Sequence, residues 1–125
     1  MSRPIEEREK ILLLRLGELG NIPSVAPLLA TGALSVQDMD DGGMGSFLIV
    51  LPQEYEGAKH GYNKVTAKSN DADGVLLVAT LYVNERGFPC EVDIWKVDFS
   101  PIIEIPSKWE LEDFPRFPGT GRGAR

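Results

Sequence analysis

Two periods divide the chain: one of about 3.6 residues at the N-terminus, and one of two residues from Leu34 onward. Ile5, Leu12, Leu13, Leu16 and Leu19 fall on one arc at about 100° per residue, which predicts an amphipathic helix over 4–19. Pro4 suits the first helical position, and Glu6, Glu7 and Glu9 complement the positive end of the helix dipole. Gly20-Asn21 supplies a left-handed stop. Ile11 and Leu14 sit nearly opposite the main stripe. A short second helix over Val25–Thr31, capped by Ser24 and closed by Gly32, is expected to fold back so that Leu28, Leu29 and Leu34 cover them.

From Leu34 the alternation predicts five strands. Leu34, Val36 and Met39 mark the first, and Asp40–Gly45 is a turn whose Asp-Gly step favours positive φ. Ser46–Leu51 returns as a strongly apolar strand, Pro52 ends it, and residues 53–61 read as an irregular loop. Tyr62–Ser69, Val75–Val83 and Phe88–Phe99 follow, separated by the turns Asp71–Gly74 and Asn84–Gly87. Connections this short favour an antiparallel meander over βαβ units. The fold class is therefore α+β, with an N-terminal helix and a short second helix packed on a sheet of about five strands.

The fifth strand changes parity. Cys90, Val92 and Ile94 are apolar on one phase, and Trp95, Val97 and Phe99 on the other. A regular strand cannot switch faces, so a bulge near Ile94-Trp95 is expected. Trp95 then lies buried near Val97 and Phe99, and Lys96 and Asp98 face away. Ser107 is expected to cap one helical turn through Trp109, Leu111 and Phe114. Residues 1–114 form one domain, and residues 115–125 (PRFPGTGRGAR) a flexible basic tail.

Composition narrows the class. With 42% hydrophobic and 26% charged residues the chain is globular rather than disordered. Its apolar runs are too short for a transmembrane helix, and the opening MSRPIEEREK is wrong for a secretory signal, so a cytoplasmic bacterial-style domain is expected. Residues 1–114 carry 10 Lys and Arg against 19 Asp and Glu, a net of −9, while residues 115–125 carry three Arg and no acid. A body this acidic repels phosphate backbones, which argues against nucleic acid and favours a basic protein surface as partner.

Reactive chemistry is sparse. One Cys excludes an internal disulfide, and one Cys with one His excludes a thiolate or imidazole metal cluster. Cys90 reads as a small buried hydrophobe, and no spacing pairs it with His60 as a dyad. Ser46 lacks the glycine that a G-x-S-x-G elbow needs two residues on. An EF-hand loop starting at Asp38 would put Ile49 where the bidentate Glu belongs, which excludes it. Gly119–Gly123 has no strand before it or helix after it, so it is no phosphate cradle. No cofactor, metal, membrane or catalytic residue is implied, and no oligomeric state is read from the pattern.

Two segments carry a resemblance. Met39-Asp40-Asp41-Gly42-Gly43-Met44-Gly45-Ser46 and Asp93-Ile94-Trp95-Lys96-Val97-Asp98, with the opening Arg3-Pro4, resemble a family of short bacterial proteins labelled only as a domain of unknown function. Its pattern is a helix opening with Arg-Pro, a D-G-G-M-G-S hairpin and an E-x-D-I-W-K-x-D-F-S-P segment, and the resemblance spans residues 3–106. The second segment is more loosely similar to the closing strand of small immunity proteins found beside bacterial polymorphic toxins, from which it departs at Trp95-Lys96 and Phe99-Ser100-Pro101. An aromatic rimmed by acids suits a basic partner. The candidate partner-binding residues are accordingly Asp38, Asp40, Asp41, Ser46, Asp93, Trp95, Lys96 and Asp98, with the acids expected to meet the partner more than the ring. The expected function is a non-catalytic protein-binding domain, in its specific form an immunity-type neutraliser of a basic effector. The alternative is a small enzyme or ligand-binding domain using the carboxylates near Trp95.

Overall fold

Both periods appear in the structure, a computed structural model that describes residues 1–32 and 34–112. Helix α1 spans Glu7–Gly20 and α2 Val25–Ala30. The strands are β1 Ser2–Pro4, β2 Ser35–Asp38, β3 Phe47–Val50, β4 Lys59–Asn70, β5 Leu76–Asn84, β6 Pro89–Lys96 and β7 Glu110–Leu111. They form an antiparallel sheet in the order β1-β2-β3-β6-β5-β4-β7. The protein is α+β, as the period change predicts.

All five predicted strands form, and two short ones join at the edges. Strands β4, β5 and β6 are a meander, and β4 begins at Lys59, so the expected loop over 53–61 is shorter. The 51–58 connection, which includes a 3-10 turn at Gln53–Tyr55, carries the chain past the places of β6 and β5. Strand β3 therefore pairs with β6 instead of β4. One sheet face carries the apolar core: Val36, Phe47, Ile49, Val65, Ala67, Leu77, Ala79, Leu81, Val92 and Ile94 are buried with Leu12, Leu13 and Leu16 of α1 and Val25 and Leu28 of α2. The opposite face carries Leu48, Val50, Leu76 and Trp95, all exposed.

The N-terminus departs from expectation. Pro4 ends β1 rather than opening the helix, because Arg3-Pro4 is extended and pairs with β2. Glu6 takes the cap position, and the buried Glu9 carboxylate accepts its N–H at 2.9 Å. Asn21, with φ 53°, supplies the left-handed stop.

The expected cover over Ile11 and Leu14 does not form. A Cβ at Gly17 would lie 2.8 Å from Val25 Cβ, so α2 docks against α1 at this glycine. Ile11 stays half-buried and Leu14 is 41% exposed. The predicted helical turn after Ser107 is also absent. Trp109 is buried, its indole N–H donates to Pro106 O at 2.8 Å, and Arg15 donates to its carbonyl, after which the chain pairs with β4 as β7. The expected tail at 115–125, like Phe114, lies outside the described residues.

Candidate functional site

The glycine-rich turn between β2 and β3 needs its glycines. Gly42, Gly43 and Gly45 all have positive φ, which a side chain would strain, and Gly45 packs close to Ile94 and Ile102. Asp41 caps the turn, its carboxylate accepting the N–H groups of Met44 at 3.1 Å and Ser46 at 3.0 Å. Burial alone would push this carboxyl up; the bonds from Ser46 and Met44 outweigh it and hold the carboxyl below its usual range. The β3–β6 ladder includes Phe47↔Val92 and Leu48↔Glu91. Beyond it, the buried Ser46 hydroxyl accepts the Ile94 N–H at 2.8 Å and reaches Ile94 O at 3.2 Å. Met44 Sδ accepts the Lys96 N–H at 3.4 Å, and Gly43 O accepts the Ile102 N–H at 2.9 Å. The two segments singled out in the sequence are thus one structural unit.

Strand β6 explains the parity change without a bulge at Ile94-Trp95. Its register with β5 runs unbroken from Glu91 to Lys96; the irregularity lies at Cys90, between Tyr82↔Glu91 and Val83↔Pro89. Cys90 is therefore half-buried at a bulge instead of filling the core, its Sγ 3.6 Å from Tyr82 O. Regular alternation puts Lys96, not Trp95, on the core face opposite Leu77. Its side chain is 1% exposed, and Nζ donates to Asp71 Oδ2 and Asp73 Oδ2, each at 2.8 Å, and to Pro101 O at 3.2 Å. Asp71 also accepts the N–H groups of Ala72, Ile103 and Glu104, which pins the 101–104 segment over the core. Burial works to raise the Asp71 carboxyl, yet the Lys96 ammonium and the three N–H donors bring it down to about 2. The carboxylates of Asp71 and Asp73 in turn raise Lys96.

The same alternation delivers Trp95 to the helix-free face, opposite Val78 on β5. It is 39% exposed, which corrects the expected buried indole. Phe99 follows in a tight turn closed by its N–H on Lys96 O at 2.8 Å. Asp98 accepts the Ser100 hydroxyl at 2.6 Å and N–H at 3.0 Å, and the Ser100 bonds hold its carboxyl low. Phe99 has φ 65° and is 70% exposed, its ring centroid 6.1 Å from that of Trp95. A left-handed backbone is costly for a bulky side chain, and here it presents a benzyl group to water. Asp93, half-buried, shares Trp95's face of the strand.

A family model for a domain of unknown function, DUF6984, matches residues 2–106. The chain belongs to this family. No curated protein and no solved structure matches it. The span matched in the DUF6984 domain takes in the glycine-rich turn, β6 and the aromatic turn, and ends before β7.

The eight candidate residues separate in space. Asp93, Trp95 and Asp98 lie at the surface end of β6, and Asp40 is exposed in the glycine-rich turn. Asp41, Ser46 and Lys96 support the fold from inside that turn and strand. Asp38 shares the core-side parity of Val36 and meets Arg3, whose guanidinium bridges it at 2.6 Å to the buried Glu9 at 2.7 Å. These charges line a cleft of about 500 Å³ with residues 102–105, where Arg3 and Arg8 already pair with Glu9, Asp38 and Glu104. Among the described residues no group of three or more His, Cys, Asp or Glu side chains converges as a metal ligand set, and no helix is long and apolar enough to cross a membrane. Sequence reasoning missed Phe99 as a displayed residue. Its signal was the D-F-S-P wording, an Asp-capped turn before proline.

Proposed function

We propose that the DUF6984 domain is a non-catalytic protein-binding domain that engages a basic protein through Trp95 and Phe99, with the carboxylates of Asp93 and Asp98 beside them. The observation that carries this reading is Phe99, an exposed phenylalanine on left-handed backbone with its ring tilted at 54° beside a second exposed aromatic. Such backbone costs on the order of 1–3 kcal/mol, and folding alone has no use for a ring held in water. Aromatic anchors beside carboxylates suit an Arg- or Lys-bearing partner through ring stacking and charge. Immunity-type neutralisation of a basic effector is the specific form this binding takes in our reading. The carboxylate-based alternative, a small enzyme or ligand-binding domain, has less support, since the candidate acids do not converge: Asp41 is turned into the glycine-rich turn and Asp38 pairs with Arg3.

Phe99→Gly tests it, because the change removes the ring and relieves the backbone together. The thermal midpoint is expected to hold or rise, while retention of a basic protein partner on an immobilised domain is lost, as it is for Trp95→Ala. Equal retention by wild type and both variants would overturn the reading.

A further inference from the structure

A separate apolar cleft of about 380 Å³ opens where α2, the 3-10 turn and the β5–β6 turn converge. Pro23 and Pro27 form one wall, and Tyr55 and Phe88 the other, their rings stacked at 4.3 Å and 19°. A volume of several hundred Å³ with apolar walls is what a small-molecule site needs.

Both walls are held from behind. Asn84, almost fully buried, donates from its side-chain amide to Tyr55 O at 2.9 Å and accepts the Phe88 N–H on its side-chain oxygen at 3.1 Å. One buried amide thereby sets the two backbones whose rings make the aromatic wall. Ser24 Oγ donates to Gly87 O at 2.7 Å, tying the start of α2 to the same turn. A wall fixed in advance loses little entropy when a ligand arrives.

The lining also says what fits. The Ser24 and Thr31 hydroxyls already donate to carbonyls of the protein, and among the described residues no carboxylate, ammonium or guanidinium lines the cleft. A charged ligand would lose its hydration there with no opposite charge among these residues to replace it. We infer that this cleft is a binding site for an uncharged aromatic or heteroaromatic ring compound that lies between the prolines and the Tyr55–Phe88 pair. The site is independent of the Trp95 surface, and either reading can fail alone.

Indole, with benzoate as its charged counterpart, is the probe. Titration of the full chain with indole, followed by amide and methyl NMR shifts, is expected to give saturable changes confined to Ser24, Leu28, Thr31, Tyr55 and Phe88. A Kd of about 1 mM or tighter suits a ligand of that size, and benzoate should bind at least about tenfold more weakly. Pro27→Glu puts a carboxylate on the exposed rim; it should keep the melting midpoint within a few degrees and weaken indole at least tenfold. The proposal is overturned by no saturable shift up to about 5 mM indole, by shifts centred on Trp95 and Phe99, by benzoate binding as well as indole, or by undiminished binding to a folded Pro27→Glu protein.

Discussion

A lysine whose ammonium is shut away from water has to have its charge answered inside the protein. Lys96 meets two carboxylates and a carbonyl, and Asp71 meets that ammonium and three backbone N–H groups, so every partner depends on the others. Removing one side of such a group leaves the other desolvated and unpaired. Asp71→Ala is therefore expected to cost about 3–5 kcal/mol in urea unfolding, far more than a typical surface change. The pH dependence follows from the direction of the shift. Asp71 is held at about 2 in the folded state against an ordinary 3.8, so the unfolded chain binds the proton first as pH falls. Its stabilisation is complete above about pH 4 and disappears as pH drops through 2. A urea-midpoint series between pH 5 and 2 should show wild type losing more stability than Asp71→Asn, and parallel curves would refute the assignment.

At the scale of elements, the glycine-rich turn meets β6 through side chains, the Ser46 hydroxyl and Met44 Sδ, where a regular ladder would place backbone pairs. Ser46→Ala leaves the buried Ile94 N–H without its acceptor, and the loss should be about 1–3 kcal/mol in denaturant unfolding. Ser46→Thr, which keeps the oxygen, is expected to recover part of it; equal losses would show that packing and not the hydroxyl matters. The hairpins were legible in the chain because Asp-Gly and Asn-x-x-Gly steps demand positive φ locally. The sheet order was not, since the pairing of β3 with β6 depends on contacts between residues more than 40 positions apart. Strands β1 and β7 escaped detection because two or three residues are too few to show a period.

For the molecule as a whole, charge and faces act together. Helices cover one side of the sheet, and the other side presents Trp95 within a body of net −9 over residues 1–114. Association with a basic protein should accordingly slow as ionic strength rises, with the association rate constant falling at least about tenfold between about 50 and 500 mM salt while the dissociation rate changes little. Stopped-flow or surface-based kinetics read both rates. An association rate indifferent to salt would leave the aromatic contact but remove charge from the proposal.

The local physics of the chain by itself determined the α1 stripe, the α+β class, five of the strands and the turns that join them. Each of these depends on near neighbours: dipole, period and backbone φ. Only the tertiary structure decided which side chains of β6 face inward. The parity change looked like a bulge because lysine was assumed to seek water, whereas Asp71 and Asp73, more than 20 residues away, let Lys96 replace an apolar residue in the core. Once that ammonium is satisfied inside, strict alternation sends Trp95 to the surface, and the desolvation balance of one charge settles which face of the strand a partner can reach.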